Sequence, residues 1–334
     1  MSKKIKWGII STAKIAIDHV IPALQALDDC EVAGIASRSP EKAQDVASQM
    51  NIPKSYGSYA EMFDDPEIDV VYNPLPNNLH IPVSKQAIKS GKHVLCEKPV
   101  AMTEKEAEQL RETPAGICFM EAFMVRFHSQ WHEALKIVQS GELGEVRAIQ
   151  TFFSFFKDDP ENIRNNPVTG GGAVYDIGCY ANVTSKYIFG NKPERVVTVS
   201  DIDPEFNVDR LTSGIFDFGG GRHLTFSVST QLVLYQRVNI LGTKARLEVL
   251  IPFNPVGGQP TKILLDDGKD LSGSKIKTIE IPACNHYSLE CAAMNQAIRK
   301  EEELKYSIED AIENAHILDA IFRSAKSNSW ENIK

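Results

Sequence analysis

The sequence lacks several features that would place it in a specialised class of protein. Its six cysteines form no Cys-x-x-Cys pair, so a zinc ribbon or a thioredoxin-like redox centre has no support, and we expect reduced, mostly buried thiols and no metal site. A run of about 18 apolar residues is also missing, which argues against a membrane span. Basic charge is not in excess, because 36 Lys and Arg residues face 44 Asp and Glu residues and leave a net charge of -8. Nucleic acid and anionic membrane surfaces are therefore not the expected partners.

What is present fits an ordinary globular protein. The chain has 334 residues, of which 43% are hydrophobic, enough for about two domains with sizeable cores. Its first residues lead directly into a short apolar run with no small-residue cleavage site, so we expect no leader peptide and a cytoplasmic protein.

Strand-like and helix-like segments alternate up to about residue 120. Strands separated by helices of about 10 to 15 residues predict βαβ units and a doubly wound parallel sheet with both faces covered, an α/β fold. The predicted strands are 4–10, 31–37, 68–72, 93–96 and 116–120.

Beyond about residue 125 the pattern changes to long strand-like stretches broken by Gly, Pro, Asn and Asp. These stretches predict an α+β domain built on a mostly antiparallel sheet. Two helical patterns, over 287–300 and 307–325, close the chain. We therefore expect a first domain over 1–125, a second over 126–306, and a C-terminal helix within 307–334 that packs back on the first domain.

The first predicted strand ends in the segment Gly8–Ala16, a junction of strand, turn and helix. A dinucleotide pyrophosphate is bound at such a junction by a tight turn, a close backbone approach and the N–H groups of a helix N-terminus. Ser11 and Ala13 stand where glycines are usual, but both are small, and the hydroxyls of Ser11 and Thr12 can donate to phosphate. An ordinary turn between a strand and a helix is the alternative.

Arg38 follows the second strand, at the distance from the first turn where an acidic residue would bind a ribose diol. An acidic residue would repel a 2′-phosphate, whereas Arg38, flanked by the hydroxyls of Ser37 and Ser39, can bind it through charge-assisted hydrogen bonds. The sequence therefore favours NADP, with NAD as the alternative cofactor. A solvated arginine that merely opens the next helix would leave the same pattern.

Two further segments follow predicted strands at the same edge of the sheet. Prolines stiffen the segment Asn73–His80, in which Asn77 and His80 can supply polar groups to a cofactor or a substrate, although a structured turn is the alternative. In Glu97–Pro99, Lys98 can lower the pKa of a neighbouring phenol or stabilise the negative charge of a developing alkoxide.

A glycine-rich segment in the second domain, Gly170–Tyr180, joins a carboxylate to a phenol. If a helix begins near Ala173, Asp176 and Tyr180 project from one face, so both can address the same substrate. The alternative is a glycine-rich loop that leads into a buried helix, with Tyr180 packed in the core.

These segments, together with Glu121–His128, resemble in order and spacing the family of glucose-fructose oxidoreductase, inositol dehydrogenase and MocA (Gfo/Idh/MocA). Tyr180 and residues 121–128 are similar to the branch with NADP-linked xylose dehydrogenase and dimeric dihydrodiol dehydrogenase. The resemblance implies a Rossmann domain, a substrate domain whose open sheet forms a homodimer or higher oligomer, and Lys98, Asp176 and Tyr180 as catalytic residues. The expected cofactor-binding residues are Gly8, Ser11, Thr12, Ala13, Ser37, Arg38, Pro74, Asn77, His80, Glu97, Lys98 and Arg126.

We therefore expect an NADP-dependent oxidoreductase that transfers a hydride between nicotinamide C4 and a hydroxyl or carbonyl carbon of a sugar or cyclic polyol. Tyr180 would act as acid and base, assisted by Lys98, while Asp176 orients the substrate hydroxyl. The alternatives are a trans-dihydrodiol dehydrogenase of the same family and a non-catalytic dinucleotide-binding sensor. Arg164, Asn165 and strand 152–156 are further candidates to line the pocket, with surface or core positions as the alternative.

Overall fold

The structure, a computed structural model, describes residues 3–333 and divides into two units. One unit contains the residues up to Met124 together with Tyr287–Ala315, and the other contains Val125–His286 together with the residues from His316 onward. Segment 287–306, which the sequence pattern places in the second domain, therefore lies in the first unit, and the last helix is divided between the two.

The first unit contains a six-stranded parallel sheet within the described residues. Its strands are β1 (Ile5–Ile10), β2 (Cys30–Ala36), β3 (Lys54–Tyr56), β4 (Val70–Asn73), β5 (His93–Glu97) and β6 (Phe119–Ala122). They are arranged in the order β3-β2-β1-β4-β5-β6 with every neighbouring pair parallel. This order confirms the predicted doubly wound sheet, and it brings the carboxyl ends of all six strands to one edge.

The helices of the described chain alternate with the strands in the first unit and become sparse in the second. They are α1 (Ile21–Gln25), α2 (Pro40–Gln49), α3 (Tyr59–Asp64), α4 (His80–Lys89), α5 (Glu104–Ala107), α6 (Ser129–Gln139), α7 (Cys179–Phe189), α8 (His286–Ile298) and α9 (Ile308–Ser327). A π-helical segment precedes α1 at Ala16–Val20, and another precedes α7 at Val174–Gly178. In the described chain, no helix is long and apolar enough to cross a membrane.

Strand β1 lies in the middle of the first sheet, and most of its residues are buried and closely packed, as a central strand requires. The Trp7 side chain is fully buried, and its indole N–H donates to Asn295 of α8 at 3.0 Å. A Cβ at Gly8 would come within 2.8 Å of Met62 Sδ, so the bare backbone lets α3 pack closely on the strand. The glycine at position 8 thus has a packing reason, and its predicted role toward a cofactor remains a prediction.

The second unit contains a nine-stranded sheet within the described residues. Its strands are β7 (Val146–Phe156), β8 (Arg195–Ile202), β9 (Asp209–Asp217), β10 (His223–Ser229), β11 (Gln231–Gly242), β12 (Arg246–Val249), β13 (Thr261–Asp266), β14 (Lys277–Ile281) and β15 (Glu331–Asn332). Their order is β14-β13-β12-β11-β7-β10-β9-β8-β15, and the only parallel pair in it is β7 with β10. The predicted mostly antiparallel sheet is confirmed.

The two faces of this second sheet differ in their surroundings. On one face, the backbone N–H of Thr198 donates to Ser324 of α9 at 2.9 Å, and its hydroxyl donates to the backbone of Ile321. Side chains alternate along a strand, so Val199 points to the other face, where it is 66% exposed. Ile215, which is opposite Val197 on the neighbouring strand, shares that open face.

Candidate active site

In the turn after β1, a serine adopts the positive φ that a glycine usually adopts at this position. Ser11 has a φ of 66°, in the left-handed region, and its N–H donates to the Ala36 carbonyl at 2.7 Å. Its hydroxyl oxygen accepts the N–H of Ala13 at 3.2 Å, which closes the turn locally. The missing glycines therefore do not prevent the tight turn, and the hydroxyl hydrogen of Ser11 remains a potential donor.

Beyond β2, Arg38 lies at the same edge of the sheet. Its side chain is exposed and lies near the phenol of Tyr59, whose pKa is raised by burial while the Arg38 charge acts in the opposite direction. Ser37 is buried, with its hydroxyl accepting the N–H of Ser39 at 3.2 Å, and Ser39 in turn caps α2. Arg38 therefore follows the end of β2 with an exposed side chain, whose donors suit an anionic ligand.

His80, predicted to offer a polar group to a ligand, has both ring nitrogens occupied within the fold. Nδ1 lies 2.7 Å from the Pro99 carbonyl and Nε2 lies 2.6 Å from the Leu75 carbonyl. Burial lowers the pKa of His80 to about 4, while these two carbonyls act in the opposite direction. The buried side chain thus links the loop after β4 to the turn after β5.

The loop after β4 carries the other predicted residues of that edge. Pro74 is buried next to Asn73, whose amide donates to the His80 carbonyl at 3.1 Å and to the Ser84 hydroxyl at 3.0 Å. Asn77 opens a short 3-10 turn. These contacts make the loop a structured turn, which was the alternative interpretation, at the edge where ligands bind in open α/β sheets.

Lys98 follows a carboxylate that is firmly held. Glu97 ends β5, and one of its oxygens accepts the Tyr72 hydroxyl at 2.6 Å, while the other accepts the backbone N–H of Lys98 at 3.3 Å. Burial and the Glu97 charge raise the pKa of Tyr72 well above its ordinary value, so this phenol stays a donor. After the cis Lys98–Pro99 bond, the N–H of Val100 donates to Glu121 at 2.7 Å. The backbone around Lys98 is therefore fixed on both sides.

In the second unit, the glycine-rich turn is packed against its own loop. Gly170 has a φ of 78° and ends the 3-10 turn Pro167–Thr169. A Cβ at Gly171 would overlap the Arg164 carbonyl, and the N–H of Gly172 donates to that carbonyl at 2.9 Å. These glycines thus serve close backbone contacts as well as unusual backbone angles.

Asp176 and Tyr180 are on one continuous helical stretch, but the predicted α-helical start is a π-helical segment. Such segments occur frequently at functional sites. Asp176 Oδ2 accepts the Nε–H of Arg164 at 2.7 Å, with the Asp176 side chain 15% exposed. Arg164, which the sequence offered only as a candidate for lining the pocket, therefore orients a predicted catalytic carboxylate.

Tyr180 is packed among aromatic side chains in the core, which was the alternative interpretation, and its catalytic role stays a prediction. Its side chain is 4% exposed, and its ring centroid lies 5.9 Å from that of Phe153 and 5.4 Å from that of Phe253. Those two phenylalanines stack on each other at 4.8 Å. The ring is therefore held rigidly in the core of the second unit, two residues beyond the π-helical segment.

The contacts described for the remaining candidates are with other protein groups. Arg126 is 4% exposed, and its carbonyl accepts a hydrogen bond from His132 Nε2 at 3.0 Å. The Asn165 amide donates to two carbonyls of its own loop. Phe152 contacts Tyr235 edge to face at 5.6 Å on the open face of the second sheet, so it is the adjacent Phe153 that reaches Tyr180. For Arg126, the predicted role toward the cofactor stays a prediction.

Comparison with known proteins identifies the family. Residues 5–115 match the oxidoreductase family with an NAD-binding Rossmann fold, and residues 131–248 match the GFO/IDH/MocA C-terminal domain. The chain belongs to the Gfo/Idh/MocA oxidoreductase family. The resemblance inferred from the motifs and the Rossmann fold that it implied are confirmed.

Relatives within this family cover nearly the whole chain. An uncharacterized oxidoreductase of Rhizobium meliloti is 42% identical over 98% of this chain and 99% of that protein. The D-xylose 1-dehydrogenase (NADP(+)) 2 of Haloferax volcanii is 34% identical over 97% of this chain and 98% of that protein. A trans-1,2-dihydrobenzene-1,2-diol dehydrogenase of Xenopus tropicalis is 34% identical over 73% of this chain and 74% of that protein.

Among solved structures, the 3-ketoreductase KijD10 from Actinomadura kijaniata, in complex with NADP and TDP-benzene, is similar with a TM-score of 0.89. It is 26% identical, and the match covers 96% of this chain and 98% of that one. Family membership thus makes this protein an NAD(P)-dependent oxidoreductase with an NAD(P)-binding Rossmann domain.

Proposed function

We propose that this oxidoreductase uses NADP and acts on a hydroxyl or carbonyl carbon of a sugar or related cyclic polyol. The observation that carries the proposal is the arrangement in the second unit, where a carboxylate and a phenol stand on one helical stretch and Arg164 orients the carboxylate. Xylose dehydrogenase activity in the Haloferax relative supports the sugar class.

The first unit fits an NADP molecule. The left-handed φ of Ser11 produces the tight turn that a pyrophosphate needs, and the residues that follow, Thr12 and Ala13, are small and half-buried. Arg38 and Ser37, at the end of β2, would bind the 2′-phosphate, which an acidic residue at position 38 would repel. Pro74, Asn77, Glu97 and Lys98 would serve the cofactor from the loops after β4 and β5. When bound, the nicotinamide would accept or supply a hydride at C4.

The protein's own residues would handle the proton. In the oxidation direction, the Tyr180 phenolate accepts the hydroxyl proton of the substrate as the C–H electron pair leaves the same carbon, and the reverse step returns the proton to a carbonyl oxygen. In this proposal the Lys98 ammonium would stabilise negative charge on the phenolate and on the substrate oxygen. Asp176, held by Arg164, accepts a hydrogen bond from a substrate hydroxyl and orients it.

A homodimer through the open face of the second sheet is part of the proposal. Val199, Ile215 and Tyr235 are exposed large side chains of that sheet, and Tyr235 packs with Phe152 and Arg237. Exposed apolar side chains gathered on one face are typical of interaction surfaces. Sedimentation equilibrium of the intact protein tests this part: a dimer is expected, and a monomer at micromolar concentration would contradict it.

A panel of substrates tests the reaction. The purified protein is mixed with NADP or NADPH and with pentoses, hexoses, polyols, their keto forms and a trans-dihydrodiol, and the absorbance of the reduced nicotinamide is followed. Turnover on at least one sugar or polyol is expected. Turnover on the dihydrodiol alone would favour the activity of the Xenopus relative, and cofactor binding without turnover on any compound would favour a sensor.

The shared action of Lys98 and Tyr180 needs its own test, because the two residues belong to different units. Lys98→Met and Tyr180→Phe are compared singly and together. If both act on one reacting oxygen, the double variant should lose little more turnover than the worse single variant. Fully additive losses would contradict a shared role.

A further inference from the structure

The helical stretch that carries Asp176 and Tyr180 is anchored at its start by a carboxylate from another element. Asp209, the first residue of β9, is 5% exposed, and its Oδ2 accepts the backbone N–H of Val174 at 2.8 Å. The first N–H groups of a helix have no partner within the helix, so a carboxylate at this position stabilises the start.

The carboxylate is itself held from its other side. The Thr212 hydroxyl donates to the same Asp209 oxygen at 3.1 Å, and Ser200 contacts the Thr212 hydroxyl at 2.8 Å. Gly172 has a φ of 111°, and a Cβ there would overlap Asp209 Oδ1. A glycine at position 172 is therefore what lets this carboxylate reach the helix.

A second buried aspartate, in the turn that precedes β9, serves as a comparison, because its Oδ2 accepts the side-chain amide of Gln231 at 2.7 Å and not an N–H of the helical stretch. Asp203 is also 5% exposed, but its Oδ1 accepts the N–H groups of Glu205 and Phe206 in its own turn, at 2.8 and 2.9 Å. Hydrogen bonding to those N–H groups lowers the pKa of Asp203, whereas burial raises the pKa of Asp209 to about 7. Burial thus disfavours the charged form of Asp209. The carboxylate nevertheless accepts a hydrogen bond from Val174, which lies 35 residues earlier in the chain.

We propose that Asp209 is a positioning residue for the reaction: by holding the N–H of Val174, it fixes the first turn of the helical stretch and so aims Asp176 and Tyr180 at the substrate. Asp176 is two residues beyond Val174, and its own N–H donates to Gly172 at 3.2 Å, so a shift of the first turn moves it directly. Asp209 acts through these residues and touches no reacting atom. The inference rests on the proposed function.

The test compares Asp209→Asn with Asp203→Asn. The asparagine at 209 keeps the shape of the side chain but loses one acceptor oxygen, so kcat should fall by roughly 10- to 100-fold, the loss expected for a misplaced reacting group. The affinity for NADPH, measured by fluorescence, should stay within about twofold, because the predicted cofactor residues other than Arg126 lie in the other unit. Asp203→Asn should leave kcat within about twofold of wild type, because the partners of the Asp203 carboxylate are its own turn, Gln231 and Arg210, and not the helical stretch.

A readout that does not need activity separates this inference from the proposed function. Hydrogen exchange of the amides of residues 173–180 should become faster in Asp209→Asn and stay unchanged in Asp203→Asn. If the wild type turns over no sugar, the proposed function fails, and the exchange rates alone decide on Asp209. If the wild type is active and Asp209→Asn keeps its kcat, or if the exchange rates are unchanged, the positioning role is wrong.

A second variant covers the case in which Asp209→Asn does not fold. Thr212→Val removes only the hydroxyl that donates to Asp209 and keeps the side-chain shape. It should lower kcat in the same direction by a smaller factor, about two- to tenfold for one lost hydrogen bond of about 0.5–1.4 kcal/mol. Wild-type kcat together with wild-type exchange in Thr212→Val would overturn the inference.

Discussion

The turn at residues 11–13 in the first unit and the turn at residues 170–172 in the second both lead to a π-helical segment. The first turn contains no glycine, and Ser11 itself adopts a positive φ of 66°. The second contains three glycines, of which Gly170 and Gly172 have positive φ values.

The difference shows when glycine is replaceable. At the first turn only the backbone angle is unusual, and a small polar residue can adopt it at a cost of roughly 1–2 kcal/mol. At the second turn, side chains at Gly171 and Gly172 would overlap the Arg164 carbonyl and the Asp209 carboxylate. Glycine there is required by the close approach of other groups that orient the proposed catalytic residues, so the second turn should be the less tolerant of substitution.

The largest expected effect is a loss of kcat on substitution of Tyr180 in the second unit, without a loss of NADPH affinity. Tyr180→Phe removes the proposed acid and base, so kcat should fall by roughly 10²- to 10⁴-fold while NADPH affinity stays nearly unchanged. Tyr175→Phe, a ring in the same helical stretch that packs on Phe322, is the matched control and should keep most of its activity. Turnover retained in Tyr180→Phe would remove this residue as the acid and base.

The second prediction is that the free energy of unfolding depends on pH through the buried carboxyl group of Asp209, which contacts the second turn. The pKa of Asp209 is raised from an ordinary value near 3.8 to about 7, so the stability contributed by its protonated form is present below about pH 4 and is lost as the pH rises to about 7. The free energy of unfolding of wild type minus that of Asp209→Asn should therefore fall over this range by as much as about 1.4 kcal/mol per pH unit. Urea titrations at several pH values measure it, and a constant difference would contradict the buried charge.

The charged side chains on the neighbouring elements do not account for this titration. Arg210 on β9 is paired with Asp201, and Asp176 on the helical stretch is paired with Arg164. The groups that donate to Asp209 are the backbone N–H of Val174 and the Thr212 hydroxyl, neither of which titrates between pH 4 and 7.

Gly172→Ala tests the second turn itself. The new Cβ would meet Asp209 at a φ of 111°, so strain and overlap together should lower the free energy of unfolding by roughly 2–5 kcal/mol. Gly190→Ala is the matched control, because Gly190 has a φ of 76° and a Cβ added there would meet nothing within 4 Å. Chemical denaturation gives both values, and equal losses would show that the backbone angle alone requires glycine at 172.

Arg38→Ala should change the cofactor preference and little else. Losing a charge-assisted contact worth about 1.5–3 kcal/mol should reduce the preference for NADP over NAD by roughly 10- to 150-fold, with kcat at saturating NADP retained. Lys42→Ala, an exposed cation in the first turn of the following helix α2, is the control. An unchanged preference would mean that Arg38 does not bind the 2′-phosphate.

The sequence predicted the two sheets well because apolar strand patterns report on burial directly. Strand β1 lies within one residue of its predicted bounds, whereas β3 was missed, since three half-buried residues show no periodicity. The π-helical segments have no recognisable sequence signal. Nothing in a loop sequence reveals that both ring nitrogens of His80 face backbone carbonyls, and the role predicted for His80 toward a ligand stays a prediction.

The candidate site was predictable only where it is local. Asp176 and Tyr180 are near each other in the chain, and Lys98 stands in a short motif, so a pattern could identify them. Asp209 is isolated in the sequence, and it reaches the helix only through the pairing of β9 with β8 and the bare Gly172. Contacts set by strand register between distant segments leave no motif to recognise.

The smallest expected effect returns to the first turn. Ser11→Gly relieves the left-handed strain but loses the hydroxyl that accepts the Ala13 N–H and increases the freedom of the unfolded chain. Because these contributions are of similar size and opposite sign, the free energy of unfolding should change by less than about 1 kcal/mol. Thermal or urea denaturation measures it beside Ser11→Ala, which loses the hydroxyl and keeps the strain and should therefore be the less stable variant. A loss above about 2 kcal/mol in Ser11→Gly would mean that the serine side chain, and not the backbone angle, holds this turn.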